Sequence, residues 1–220
     1  MTRANFAGGL PVSSSQLPTT PNLSTRLRAL AADSLARVGR GLAGLGIHPD
    51  VLTILGLGVT LVGAWAIVQG QFLTAAIILV LGLPLDALDG AVARAMGRTN
   101  PFGGVLDSVV DRAADMILLL SLAYHLALAG QFDAMLWAFA ALVGSVLVSY
   151  IRARAGAAGL PCAGGFFSRF ERLAVLLIML LTGWITAGLV VLAIGSNLTA
   201  LQRLWSVARF AEAKNLEKEL

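Results

Sequence analysis

"LDALDGAVARAMGRTNPFGGVLDSVVDRAAD", residues 85–115, sets five aspartates within 31 residues and lies between two apolar runs. The chain around it is 57% hydrophobic and only 13% charged, with a mean hydropathy of +0.82. Soluble domains are about a quarter charged, so this composition belongs to a protein that crosses a membrane several times. A length of 220 residues suits one helical bundle. A net charge of +4 would hint at nucleic acid in a soluble protein. Here the positions of the charges matter more than their sum, and no nucleic-acid partner is expected. Cys162 is the only cysteine, which excludes an intrachain disulfide or a thiolate metal cluster.

Working outward, a spanning helix needs about 20 mostly apolar residues. Val51–Val68, Leu73 to Arg94, Leu106–Ala129 and Ala134 to Arg154 meet that need, and Phe170–Ala208 is long enough for two spans hinged at Thr182-Gly183. The fold expected is all-α and integral to the membrane: a six-transmembrane-helix bundle preceded by an interfacial amphipathic helix. That first helix is expected over 24–46, where Leu27, Ala31, Leu35, Val38, Leu42 and Leu45 recur at helical spacing between Arg26, Arg28, Arg37 and Arg40. Residues 1–23, rich in Ser, Thr and Pro and without an apolar core, read as a disordered tail, not a cleavable signal. Residues 47–210 form the membrane domain and 211–220 a polar tail.

The sixteen basic residues fall before the first span, in every second connection and at the C-terminus. The turns "QGQF", "GQFD" and "TGWI" hold none. The positive-inside rule then puts the acidic stretch and both termini in the cytoplasm, in a multi-pass protein of the cell membrane. Six spans satisfy this alternation and five do not.

Asp86 and Asp89 are three apart, and Asp107 and Asp111 four apart, so each pair shares one helix face. The short "RAMGRTNPFGG" connection makes the two helices antiparallel neighbours with four carboxylates at one depth. Like charges so close need positive charge between them, and hard divalent cations with oxygen ligands are its natural source. Pairing with Arg94 and Arg112, or proton relay in a transporter, are the other uses of such carboxylates. A transporter would place polar groups near the midplane, whereas these lie at one edge.

Asp86-x-x-Asp89-Gly90-x-x-Ala93-Arg94, eight residues, then Gly103-x-x-x-Asp107-x-x-x-Asp111 resembles the signature of the CDP-alcohol phosphotransferases over 26 residues. The resemblance implies a six-helix membrane fold, a homodimer and a site for two metal ions, usually Mg²⁺ with Mn²⁺ possible. It further implies transfer of a phosphatidyl group from CDP-diacylglycerol to an alcohol, with release of CMP. On that resemblance Asp86, Asp89, Asp107 and Asp111 are the metal ligands, and Asp111 is also the base that deprotonates the attacking hydroxyl. Gly90, Ala93, Arg94 and Gly103 would take the CDP-lipid, joined by Pro49, Asp50 and Thr53 of "LGIHPDVLT", which resembles the nucleotide-side segment. His48 reads as an interfacial residue without a partner. Asp115 falls outside the signature and reads as a partner of Arg112 or a support to the site.

"SYIRARAGAAGL", "GGFFSRFERL" and "LQRLWSVAR" resemble the members of the family that use inositol phosphate. The resemblance assigns Ser149, Arg152, Arg154 and Arg203 to the acceptor, with arginine at Arg152 where lysine is usual. Physically, an arginine cluster suits a dianionic phosphate better than serine or choline. Glycerol phosphate is the second candidate. The alternative use of these arginines is as flanks that bind anionic headgroups of membrane lipids. Arg169, Glu171 and Arg172 are expected to shape the loop over the site.

Overall fold

The computed structural model describes residues 23–97, 101–162 and 165–219; the side chains of 23–33, 86, 101 and 213–219 fall outside that description. Among the described residues every regular element is a helix: α1 (Leu23–Gly44), α2 (Pro49–Val68), α3 (Phe72–Ala95), α4 (Pro101–Leu128), α5 (Phe132–Ala157), α6 (Arg169–Thr182) and α7 (Ile185–Glu219). From residue 35 onward the chain forms one compact unit, which contains the site described below. The tail expected over 1–23 lies almost wholly outside the described residues.

Helices α2, α3, α5 and the Ile185–Glu212 part of α7 are long and apolar enough to cross a membrane. The other two expected spans fall short for identifiable reasons. Helix α4 carries Asp107, Asp111, Arg112 and Asp115. At 14 residues, α6 is about 21 Å long, against a hydrocarbon core of about 30 Å. The surface agrees with a lipid setting: Trp65, Leu73, Leu81, Leu136 and Trp184 are exposed, while Ala64, Ala66, Ala75, Ala76, Ala138 and Ala193 fill the interior. Without a hydrophobic drive between helices, small residues that allow close approach hold the bundle together.

Two boundaries move from their expected places. Helix α4 begins at Pro101, five residues early, because proline suits the first helical position, where no N–H is needed. Asp107 and Asp111 therefore sit in its second and third turns. Helix α7 runs on to Glu219, so most of the expected polar tail is helical. The hinge at Thr182-Gly183 is present: Gly183 ends α6 at φ 76°, a left-handed conformation that glycine adopts at no steric cost.

Within the bundle α2 packs on α3 and α4, α5 on α4 and α7, and α6 on α3 and α7. Helices α3 and α4 both lie against α2, and with its first turns they line the cavity that becomes the site. The broadest packing is between α5 and α7. There a Cβ on Gly144 would lie 2.7 Å from Ser196 Cβ, and Asn197 Nδ2 donates across the contact to Ala140 O at 2.9 Å. Gly144→Val should cost about 1–3 kcal/mol through overpacking, read as a lower melting temperature in detergent. An unchanged melting temperature would show that the two helices separate freely.

Candidate functional site

Two cavities open on either side of the acidic face of α4. The first, of about 290 Å³, is lined by His48, Pro49, Asp50 and Thr53 of the α2 start, Asp89, Gly90 and Ala93 of α3, and Gly103, Gly104 and Asp107 of α4. It gathers six of the seven residues expected for the CDP-lipid. The seventh, Arg94, is exposed and does not line it, although a Cβ on Gly90 would stand 3.4 Å from its Nη1. Cβ atoms at Gly90 or Gly103 would meet neighbours only at ordinary contact distance. Packing therefore does not require glycine at either place, and the space they leave belongs to the cavity.

Local chemistry fixes this wall. Thr53 is buried and donates its hydroxyl to Asp89 Oδ2 at 2.9 Å, tying α2 to α3. His48, expected to be unpartnered, instead caps α2: its Nδ1 lies 3.4 Å from the Asp50 N–H and 3.3 Å from Asp50 Oδ2. It lines the cavity too.

The donor set fits a hard divalent cation in kind, because Asp89 and Asp107 bring carboxylate oxygens to one cavity. Asp86 stands three residues before Asp89 on α3, with its side chain outside the description. Among the described residues no three acidic, histidine or thiol groups gather closely enough to form a metal cage.

The second cavity, of about 230 Å³, is lined by Asp111, Arg112 and Asp115 of α4, Val148, Ser149 and Arg152 of α5, Ser168, Arg169 and Arg172 at the start of α6, and Arg203 of α7. Three of the four residues expected for the acceptor are present. Arg154 is not among them and is exposed. The reason is helical geometry: Ser149 and Arg152 are three apart and share a face, whereas Arg154 is turned about 200° from Arg152.

Arg169 and Arg172, expected only to shape a loop, line this cavity directly. The Glu171 carboxylate accepts the Ser168 N–H at 2.8 Å and also the Ser168 hydroxyl, which fixes the start of α6. Arg169 Nη2 then meets Asp111 Oδ1 at 2.8 Å, and Arg172 Nη2 meets Asp115 Oδ2 at 3.0 Å. The positive end of the helix dipole disfavours cations in this first turn, so helix stability does not explain them. Their spacing of three was the available signal, masked by the ordinary excess of arginine beside a span. From α7, Arg203 is buried and donates to Val148 O at 2.7 Å. The segment entering α6 is pinned to α7 by the Phe167 N–H on Thr199 Oγ1 at 3.2 Å.

Asp107 faces the first cavity and Asp111 the second, one turn apart on α4. A carboxylate-lined chamber thus adjoins an arginine-lined one, an arrangement suited to bringing two phosphate-bearing molecules together.

The chain belongs to the CDP-alcohol phosphatidyltransferase family, whose sequence profile matches residues 46–204. It is similar to the archaetidylinositol phosphate synthase of Pyrococcus horikoshii, 38% identical over 191 residues that cover 86% of this chain and 98% of that one. The phosphatidylinositol phosphate synthase of Mycobacterium tuberculosis is 36% identical over 195 residues, covering 82% and 88%. The crystal structure of that enzyme with CDP-DAG bound superposes with a TM-score of 0.75 at 34% identity, over 79% of this chain and 92% of the other. A second crystal structure of it, in complex with manganese and citrate, gives a TM-score of 0.74.

Proposed function

We propose that the protein transfers the phosphatidyl group of CDP-diacylglycerol to inositol phosphate, giving phosphatidylinositol phosphate and CMP. The observation that carries this reading is the pair of cavities meeting at the acidic face of α4. The relatives support it: two are named for products built on inositol phosphate, and the Mycobacterium tuberculosis enzyme was crystallised with CDP-DAG. We place the CDP-lipid against Pro49, Asp50, Thr53, Gly90, Ala93 and Gly103, with Arg94 at the margin. Asp86, Asp89 and Asp107, with Asp111 beside them, would hold divalent cations, Mg²⁺ or Mn²⁺. Such ions supply charge neutralisation to the pyrophosphate and to the departing CMP.

Ser149, Arg152, Arg203, Arg169 and Arg172 would hold the acceptor phosphate and orient its hydroxyl toward the donor. Asp111, between the cavities, takes that hydroxyl's proton as the new P–O bond forms and the bond to CMP breaks. In the membrane we read α2–α7 as six spans, with α4 and α6 completed by neighbouring polar segments, α1 along the surface, and the site and both termini cytoplasmic. A homodimer is part of the same reading.

An acceptor panel with radiolabelled CDP-diacylglycerol tests it, reading lipid product and released CMP. Inositol phosphate should be the preferred acceptor and free inositol a poor one. Arg152→Gln removes a charge-assisted hydrogen bond worth about 1.5–3 kcal/mol, so the acceptor KM should rise about ten- to a hundredfold. The KM for CDP-lipid should stay, and Arg152→Lys should be mild. Preference for glycerol phosphate, or equal use of inositol and its phosphate, would sink the acceptor assignment and leave the transferase class standing.

A further inference from the structure

Arg172 is only 7% exposed. A guanidinium that deep requires a counter-charge, and Asp115 of α4 provides it through Oδ2 at 3.0 Å. The same carboxylate oxygen accepts the hydroxyl of Ser145 on α5, also at 3.0 Å. Three helices therefore converge on one oxygen atom. Arg172 Nε and Nη1 are buried and make no hydrogen bond among the described residues. Buried donors are nearly always satisfied, so a guanidinium kept only for packing would not leave two unmade. Arg172 lines the second cavity beside Ser149, Arg152 and Arg203.

We propose that Asp115, steadied by Ser145, is a positioning residue for the acceptor: it grips Arg172 by Nη2 and holds the guanidinium at the cavity wall, with a remaining donor left for an oxygen of a phosphomonoester. This rests on the acceptor reading of the second cavity. Asp115 is not a further metal ligand, because its oxygen is engaged by Arg172 and Ser145 and it does not line the chamber of Asp89 and Asp107. Nor is it the base, since Asp111 stands one turn closer to that chamber. Its place four residues beyond Asp111 keeps it on the same face of α4, aligned with the first turn of α6.

Steady-state kinetics of the full-length protein, with inositol phosphate and CDP-diacylglycerol varied separately, decide the matter. Asp115→Asn should raise the acceptor KM about tenfold or more and hold kcat and the CDP-lipid KM within about twofold, since only the grip on the phosphate contact is lost. Arg172→Gln should do the same, and the double variant should be no worse than Arg172→Gln alone, because both act through one contact. Additive effects overturn the proposal, as does a lowered melting temperature with acceptor KM unchanged, the mark of a purely structural ion pair. If Asp115→Asn does not fold, Ser145→Ala keeps both charges and should still raise the acceptor KM about threefold; no change there overturns the proposal equally. Arg152→Gln, run alongside, separates the two levels. A raised acceptor KM in Arg152→Gln but not in Asp115→Asn removes this proposal alone, and no rise in either removes the acceptor cavity as well.

Discussion

Asp89→Asn should abolish transfer while leaving the bundle folded. Asparagine keeps the shape of the side chain and can still accept from Thr53, whose hydroxyl lies 2.9 Å from Asp89 Oδ2. What it removes is a charge in a chamber that also holds Asp107 and Asp50. If the chamber binds a cation against the pyrophosphate, that charge is the reason the ion stays. A loss of about a thousandfold or more is expected, the size seen when a group that stabilises developing charge is deleted. Asp86→Asn and Asp107→Asn should behave alike. Titration with Mn²⁺, followed by its paramagnetic signal, should show binding to the unmodified protein and its loss in each variant, independently of turnover. Melting in detergent without metal should be unchanged or improved, because one of several crowded like charges is gone. Near-normal turnover of these variants in chelator would remove the metal from the mechanism.

The linear pattern revealed more of the first cavity than of the second, for physical reasons. Pro49, Thr53, Asp89, Gly90, Ala93, Gly103 and Asp107 recur at three- and four-residue spacings on helix ends, so each set declares a face, and those faces do meet. Pairing between helices is a tertiary matter. The start of α2 joins α3 and α4 in lining the chamber, which loop lengths alone do not reveal. Around the second cavity, arginine beside a span has a generic explanation in membrane topology, which hid Arg169 and Arg172. Arg154 shows the converse: its offset of two from Arg152 already argued against a shared face. The termini of the spans were harder still. Pro101 drew α4 toward its connection, and the acids within α4, like the brevity of α6, make those two helices unlike ordinary spanning segments.

Asp111→Asn should separate chemistry from binding. Asp111 lines the arginine-rich cavity, whereas Asp107 one turn away lines the other, so under the proposed reading the two carboxylates would face different molecules. Arg169 Nη2 holds Asp111 Oδ1 at 2.8 Å, and Arg112 Nη1 stands 4.0 Å from Oδ2. One oxygen is thereby anchored and the carboxylate oriented, as a general base requires if it is to meet a hydroxyl at hydrogen-bond distance. Asparagine would keep the orientation and could not take the proton. We expect kcat to fall by about 10² to 10⁴, with CDP-lipid binding largely intact. Arg169→Gln should lower kcat by a smaller factor, since it loosens the carboxylate without removing it. If instead CDP-lipid binding in this variant collapses as it does in Asp89→Asn, then Asp111 serves mainly as a metal ligand, and the proton must leave the acceptor hydroxyl by another route.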